Sequence, residues 1–265
     1  GSSSVSAKTV FEALGAQCVV IGDTPDGVNI NKDCGSTHME ALQKCVVENG
    51  CDLGFAFDGD ADRMLAVDHT GKIVDGDQAI AVCAKYMKAN GTLKKDTAVV
   101  TVMSNMGFFK FCEAEGIHCE RTKVGDRYVL ENMLENGYSI GGEQSGHIIF
   151  SKHAVTGDGI LTSLKVMEVM LEKKQKLSEL AKELVIYPQL LINVRVPDKE
   201  AAMNNAAVLA EVGRVREELG ENGRILVRGS GTEPVVRVMV EAASDDICRE
   251  KAERVVKVLE ALNED

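Results

Sequence analysis

The sequence predicts an α/β protein: two successive mixed α/β/α sandwich domains, the first incomplete, followed by a small α+β domain at the C-terminal end. Three observations carry that prediction. Helix-period and strand-period segments alternate in two rounds of similar rhythm. The pattern changes style at Pro188, after which two strands form a hairpin between amphipathic helices. Finally, the chain opens on a helical segment, whereas a βαβ unit opens on a strand, so the first round reads as cut short.

In "VSAKTVFEALGA" the apolar positions Val5, Val10, Phe11 and Leu14 fall near one helical face, and Gly15 ends the pattern. "QCVVIG" is a short β-branched run that predicts a strand. "STHMEALQKCVVENG" has a capping-box spelling around Ser36 or Thr37 with Glu40 behind it, and it closes on Asn49-Gly50. "CDLGFAF" predicts a buried strand, and "MLAVDHTGKIV" a strand, a turn and a strand. From Asp75 the second round runs helix, strand, helix, strand, helix, and then a glycine-broken strand over "YSIGGEQSGHIIF", with two helical stretches after it. Beyond Pro188, "QLLINVRV" is a strand, "EAAMNNAAVLAEVGRVREELG" a single helix, "GRILVRGSGTEPVVRVMVEA" a hairpin and "DDICREKAERVVKVLEAL" a helix. The implied domains are 1–74, 75–187 and 188–265.

Composition restricts the function. At 265 residues, 45% hydrophobic and 27% charged, the chain is long enough for two or three cored domains. A formal charge of −11 argues against nucleic acid or an anionic membrane as the main partner. No apolar run has the length of a membrane span, and no leader-like segment is present. The eight cysteines form no C-x-x-C pair, which suits reduced thiols in a cytoplasmic protein and gives zinc no site. The open first unit would leave a sheet edge able to pair with a second copy, a route to a homodimer.

Three loops read as chemistry. "DGDADR" places Asp58, Asp60 and Asp62 at alternate positions directly after an apolar strand. Three close carboxylates repel one another unless a cation lies between them. An all-oxygen set favours Mg²⁺ or Ca²⁺. An EF-hand would need Gly at its sixth loop position and Glu at its twelfth; Arg63 and His69 stand there, so that reading fails. Arg63 suits a phosphoryl group bound beside the metal. "GGEQSGH", residues 141–147, offers Glu143, Gln144, Ser145 and His147 between glycines, a set fitted to sugar hydroxyls or, equally, a polar β-bulge. "RGSGTEPVVR", residues 228–237, surrounds a Ser/Gly/Thr turn with Arg228 and Arg237, which favours an anion over a plain turn.

In this order the three loops resemble the metal, sugar and phosphate loops of the α-D-phosphohexomutase superfamily. "TKVGDRYV", residues 122–129, is similar to a further active-site loop of that family. The spellings "GGEQSGH" and "VGDRYV" are closest to the branch acting on glucosamine phosphates rather than glucose or mannose phosphates. The resemblance covers essentially the whole chain. It implies Mg²⁺ on Asp58, Asp60 and Asp62, with Arg63 at the reacting phosphoryl group. It implies hexosamine-phosphate contacts from Glu143, Ser145, His147, Lys123, Asp126 and Arg127. It also implies a phosphate anchor of Arg228, Ser230, Gly231, Thr232 and Arg237. The implied reaction interconverts glucosamine 6-phosphate and glucosamine 1-phosphate through a phosphoserine and a bisphosphate intermediate. No segment resembles the family's catalytic-serine motif, so this chain is expected to hold the sites without the nucleophile. The phosphate loop carries Gly229 where the family usually has Pro or Ala, which predicts a looser turn. A glucose- or mannose-phosphate mutase, or a non-catalytic sugar-phosphate-binding module, are the alternatives.

Overall fold

The structure, a computed structural model, describes residues 1–231 and 233–262. Its contacts divide the chain into two compact units: Gly1–Ser104 with Phe108–Val185, and Asn105–Gly107 with the residues from Ile186 on.

The first unit holds two sheets. In the first, β1 (Leu53–Phe57), β2 (Met64–Asp68) and β3 (Ile73–Val74) form an antiparallel meander in the order β1-β2-β3. The connections 58–63 and 69–72 are too short for a parallel crossover, so the meander is antiparallel throughout. Helix α1 (Ser3–Ala13) ends before Gly15, at φ +93, but none of its residues is fully buried. Residues 17–22 form no strand, since no ladder partner stands beside them among the described residues, and Val19 is 54% exposed. Helix α2 (Glu40–Asn49) ends on Gly50 at φ +62 as its sequence requires, but its N-cap is Met39 without a side-chain bond. Ser36 and Thr37 lie in the preceding turn, closed by the His38 N–H on Gly35 O, so the expected capping box does not form.

The second sheet has the order β5-β4-β6-β7. Strands β4 (Thr97–Thr101), β5 (His118–Thr122) and β6 (Ile140–Gly142) are parallel, joined by α4 (Met106–Ala114) and α5 (Asp126–Asn136). The single glycine-broken strand expected over 138–150 is a hairpin, with β6 antiparallel to β7 (Ile148–Phe150) and the 143–147 loop at its tip. Helix α3 (Gly76–Ala89) starts with a true capping box between Asp75 and Gln78. With α6 (Gly159–Lys173) and α7 (Leu177–Ala181) it packs into one core that takes in Met64, Ile80, Phe108, Ile140, Phe150 and Val166. Both sheets therefore share that core.

In the second unit, β8 (Gln189–Arg195), β9 (Arg224–Gly229) and β10 (Val235–Glu241) form an antiparallel sheet ordered β8-β10-β9. Three helices pack against it: α8 (Lys199–Met203), α9 (Ala206–Leu219) and α10 (Asp245–Ala261). The single helix expected before β9 is two, because the Asn205 side chain caps the Ala207 N–H and starts a new helix. Gly229 belongs to β9, paired with Val236, so the looser turn expected from it is not found.

Glu241 is fully buried and bonded at 2.6 Å to the Nε of Arg224. Removing the Glu241 carboxylate takes an acceptor from Arg224 and from the buried Met106 N–H, at a cost of about 1–3 kcal/mol for a buried donor left unsatisfied. Glu241→Ala is expected to lower the urea midpoint of the second unit correspondingly.

Candidate functional site

The loop between β1 and β2 gathers the acidic residues. Single oxygens of Asp58, Asp60 and Asp62 lie within 4.8 Å of one another. Burial raises the Asp58 carboxyl above its ordinary value, with the neighbouring Asp62 adding to the rise, while its bond from the Arg63 N–H opposes it. The backbone here has little slack. Ala61 sits at φ +62, left-handed for a residue with a Cβ, a conformation that costs on the order of 1–2 kcal/mol. It is held by the Gly159 N–H, which donates to Ala61 O at 2.8 Å. A Cβ on Gly159 would meet Arg63 O at 2.7 Å, and one on Gly146 would meet Met64 O at 2.3 Å. Only glycine permits either approach.

His147 links this loop to three others. It is 2% exposed. The Gly157 N–H donates to its Nε2 at 2.9 Å, so Nδ1 carries the proton and donates to Asp62 Oδ2 at 3.0 Å. Asp126 Oδ2 stands 3.8 Å from Nε2. Arg63 bridges to His147 through the backbone, and its Nε lies 3.8 Å from Asp58 Oδ2. Next to His147, Glu143 Oε1 accepts from the Gly125 N–H at 3.0 Å, tying this loop to the one that carries Lys123, Asp126 and Arg127. Gln144 donates to Asp75 Oδ2 at 3.1 Å, fixing the same loop to the cap of α3. Ser145 is exposed at the tip.

The geometry therefore brings together Asp58, Asp60, Asp62, Arg63, Glu143, His147 and Asp126. Lys123 is exposed, its Nζ 5.9 Å from the Tyr128 ring centre. Arg127 is turned to the solvated face of α5, where it pairs with Glu131 at 2.7 Å. No local spelling points to Gly157 or Asp75 as partners of this site.

The second unit holds the other loop. Arg228 and Arg237 are directly opposed across β9 and β10. Burial, and then Arg237, lower the Arg228 guanidinium from its ordinary value. Arg237 pairs with Glu233 at 3.0 Å, while its buried Nε has no hydrogen-bond acceptor among the described residues. Ser230 is buried; its N–H donates to Val235 O, and its Oγ accepts from the Glu233 N–H at 3.2 Å. Its amide is therefore spent inside the loop and is not offered to an anion. Gly231 is exposed at the tip, and Thr232 lies outside the described residues.

Three family profiles match in order: the phosphoglucomutase/phosphomannomutase α/β/α domain II over 1–71, α/β/α domain III over 75–187, and the C-terminal domain over 191–258. The chain belongs to the phosphoglucomutase/phosphomannomutase family. Relatives within this family include the phosphoglucosamine mutases of Lachnoclostridium phytofermentans, 60% identical over 259 residues, and Lachnospira eligens, 58% identical over 261. Each alignment covers 98% of this chain and 58% of the relative, so the chain spans little more than half the length of the proteins it matches. Among solved structures, a phosphoglucomutase/phosphomannomutase family protein from Burkholderia thailandensis aligns with a TM-score of 0.78 at 23% identity, over 98% of this chain and 59% of that one. The N-acetylphosphoglucosamine mutase of Aspergillus fumigatus, solved with GlcNAc-6P and magnesium, aligns with a TM-score of 0.72 at 22% identity, over 88% and 54%. At these identities the structural likeness establishes the fold. No helix among the described residues is long and apolar enough to cross a membrane.

The His147–Asp62 bond generates a prediction about this family's acidic loop. A carboxylate that ligates a metal is oriented by its outer hydrogen bonds, whose loss weakens metal affinity by about 10–100-fold. For a divalent cation titrated into this loop, His147→Ala is expected to weaken binding within that range by calorimetry.

Proposed function

We propose that the chain carries the metal, sugar and phosphate sites of a phosphoglucosamine mutase. Such an enzyme interconverts glucosamine 6-phosphate and glucosamine 1-phosphate through a phosphoserine and a bisphosphate intermediate. The observation that carries this reading is the convergence of Asp58, Asp60 and Asp62 at the end of β1, braced by the "GEQSGH" loop. Close relatives named phosphoglucosamine mutase support the amino-sugar assignment. The assignment divides the chain at 74/75 and 187/188 into three domains.

The donor set fits a hard divalent cation: three carboxylates, with no nitrogen or sulfur. Asp58, Asp60 and Asp62 would hold Mg²⁺, which when bound neutralises charge on the transferring phosphoryl group. Arg63 extends from the same loop and offers a guanidinium fork to phosphoryl oxygens. Ser145, exposed at the hairpin tip, and Glu143 beside it read the sugar hydroxyls, with Lys123 and Asp126 adding donors and acceptors from the adjoining loop. His147, with both ring nitrogens engaged, holds Asp62 instead of touching sugar. Arg127, paired on the helix surface, drops out of the set. Arg228, Ser230, Gly231, Thr232 and Arg237 anchor the phosphate that is not reacting. The buried Nε of Arg237 supports this role: it has no acceptor among the described residues, and a buried donor is costly unless something supplies one.

Phosphoryl transfer needs a nucleophile held in line with the sugar oxygen. Ser230 is buried within its loop, and Ser36 lies in a turn before α2. We assign the phosphorylated serine to residues other than these 265. In a coupled assay with glucosamine 6-phosphate and the bisphosphate activator, the purified chain is expected to show no mutase turnover; an ordinary enzyme rate would overturn that assignment. In the longer protein that supplies the serine, Arg228→Ala is expected to weaken hexosamine-phosphate binding by roughly 1.5–3 kcal/mol, the value of a charge-assisted contact. Comparing glucosamine, glucose and mannose phosphates in the same protein tests the choice of sugar.

A further inference from the structure

The phosphate-anchor reading leaves unexplained how an irregular loop, flanked by two opposed arginines, is held in one shape before any anion arrives. Lys199, on the short helix α8 and 31 residues from Ser230 in sequence, supplies the missing element. Its Nζ donates to Ser230 O at 2.7 Å and to Glu233 O at 3.1 Å, spanning the loop from one side to the other. The helix that presents it is capped by Asp198, whose side chain accepts from the Glu200 and Ala201 N–H groups. Its stem lies along β9: a Cβ on Gly229 would sit 3.6 Å from Lys199 Cδ, an ordinary contact. The far side of the loop is closed by the Val196 N–H on Pro234 O and the Ser230 N–H on Val235 O.

The consequence follows from the planarity of the peptide unit. In a trans peptide the C=O of one residue and the N–H of the next point in opposite directions, and no peptide in the described chain is cis. Drawing the Ser230 carbonyl to Lys199 therefore turns the Gly231 N–H away from Lys199. The Glu233 carbonyl is drawn the same way, and the residue after it is Pro234, which has no N–H to misdirect. Left alone, two carbonyl oxygens in an anion-binding loop would repel a phosphate; engaged by an ammonium group, they are turned from it and neutralised.

We propose that Lys199 is a positioning residue of the phosphate anchor. It fixes the Ser230 and Glu233 carbonyls on its ammonium, which leaves the Gly231 amide turned to the anion. This rests on the reading that Arg228 and Arg237 bind phosphate, and the experiment separates the two. Inorganic phosphate is titrated into the 265-residue chain and its Lys199→Met, Lys199→Gln, Lys199→Arg and Arg228→Ala forms, following amide chemical shifts and amide hydrogen exchange. The native chain and Lys199→Arg should bind comparably. Lys199→Met and Lys199→Gln should bind roughly tenfold more weakly, as expected for a lost charge-assisted contact. Exchange at Glu233, whose N–H is bonded to Ser230 Oγ, should accelerate in both, while the β9–β10 ladder keeps its protection. If the native chain does not bind phosphate, or Arg228→Ala binds as well as the native chain, the anchor reading falls and the role of Lys199 with it. If Arg228→Ala loses binding while the Lys199 variants keep it, the anchor stands and the inference about Lys199 is overturned. Weakened binding without faster loop exchange would also overturn it, since Lys199 would then act by charge alone.

Discussion

Three carboxylates held within 4.8 Å of one another form an arrangement that the bare chain resists. Their mutual repulsion opposes it, as does partial burial, which already disfavours the ionised form of Asp58. The surrounding structure imposes it nonetheless. Ala61 is kept in a left-handed conformation, two glycines let neighbouring backbone close on the loop, and a buried histidine takes hold of Asp62. Strain and repulsion concentrated in one loop are characteristic of a binding site whose ligand relieves them. A divalent cation does so directly, because it converts three repulsions into three attractions.

The bracing shows how the first unit is built around that loop. Glycine 146 and His147 come from the β6–β7 hairpin, and Gly157 and Gly159 from the start of α6. Glu143 and Gln144 extend the same hairpin to the α5 loop and to the cap of α3. The elements that hold the acidic loop are thus also those that present the candidate sugar contacts. Moving one moves the other, so metal binding and sugar recognition should respond together to changes in this hairpin. The loop of the second unit follows the same logic on a smaller scale, with a lysine ammonium holding carbonyls where a histidine holds a carboxylate.

What the sequence showed and what it hid divide by range. The clustering of Asp58, Asp60 and Asp62 was legible because carboxylates at alternate positions of one loop converge through local geometry alone. The hairpin of the second unit was legible for the same reason. The His147–Asp62 bond spans 85 residues, and the Lys199–Ser230 bond 31, and neither has a local spelling. Strand character at 17–22 depended on a partner that no property of "QCVVIG" can supply, so an apolar β-branched run remained unpaired. One error was avoidable: Asn205 marked a helix start that amphipathic periodicity had covered over. The motif spellings carried the family, and the three matched profiles follow the same order along the chain.

The most direct test of the central claim is to locate the cation. Crystals of the chain soaked in Mn²⁺, an oxygen-seeking substitute for Mg²⁺, would reveal the ion by its anomalous scattering. The account predicts one strong peak within direct coordination distance of Asp58, Asp60 and Asp62, with the His147–Asp62 bond intact. A peak elsewhere, or none at saturating Mn²⁺, would contradict it.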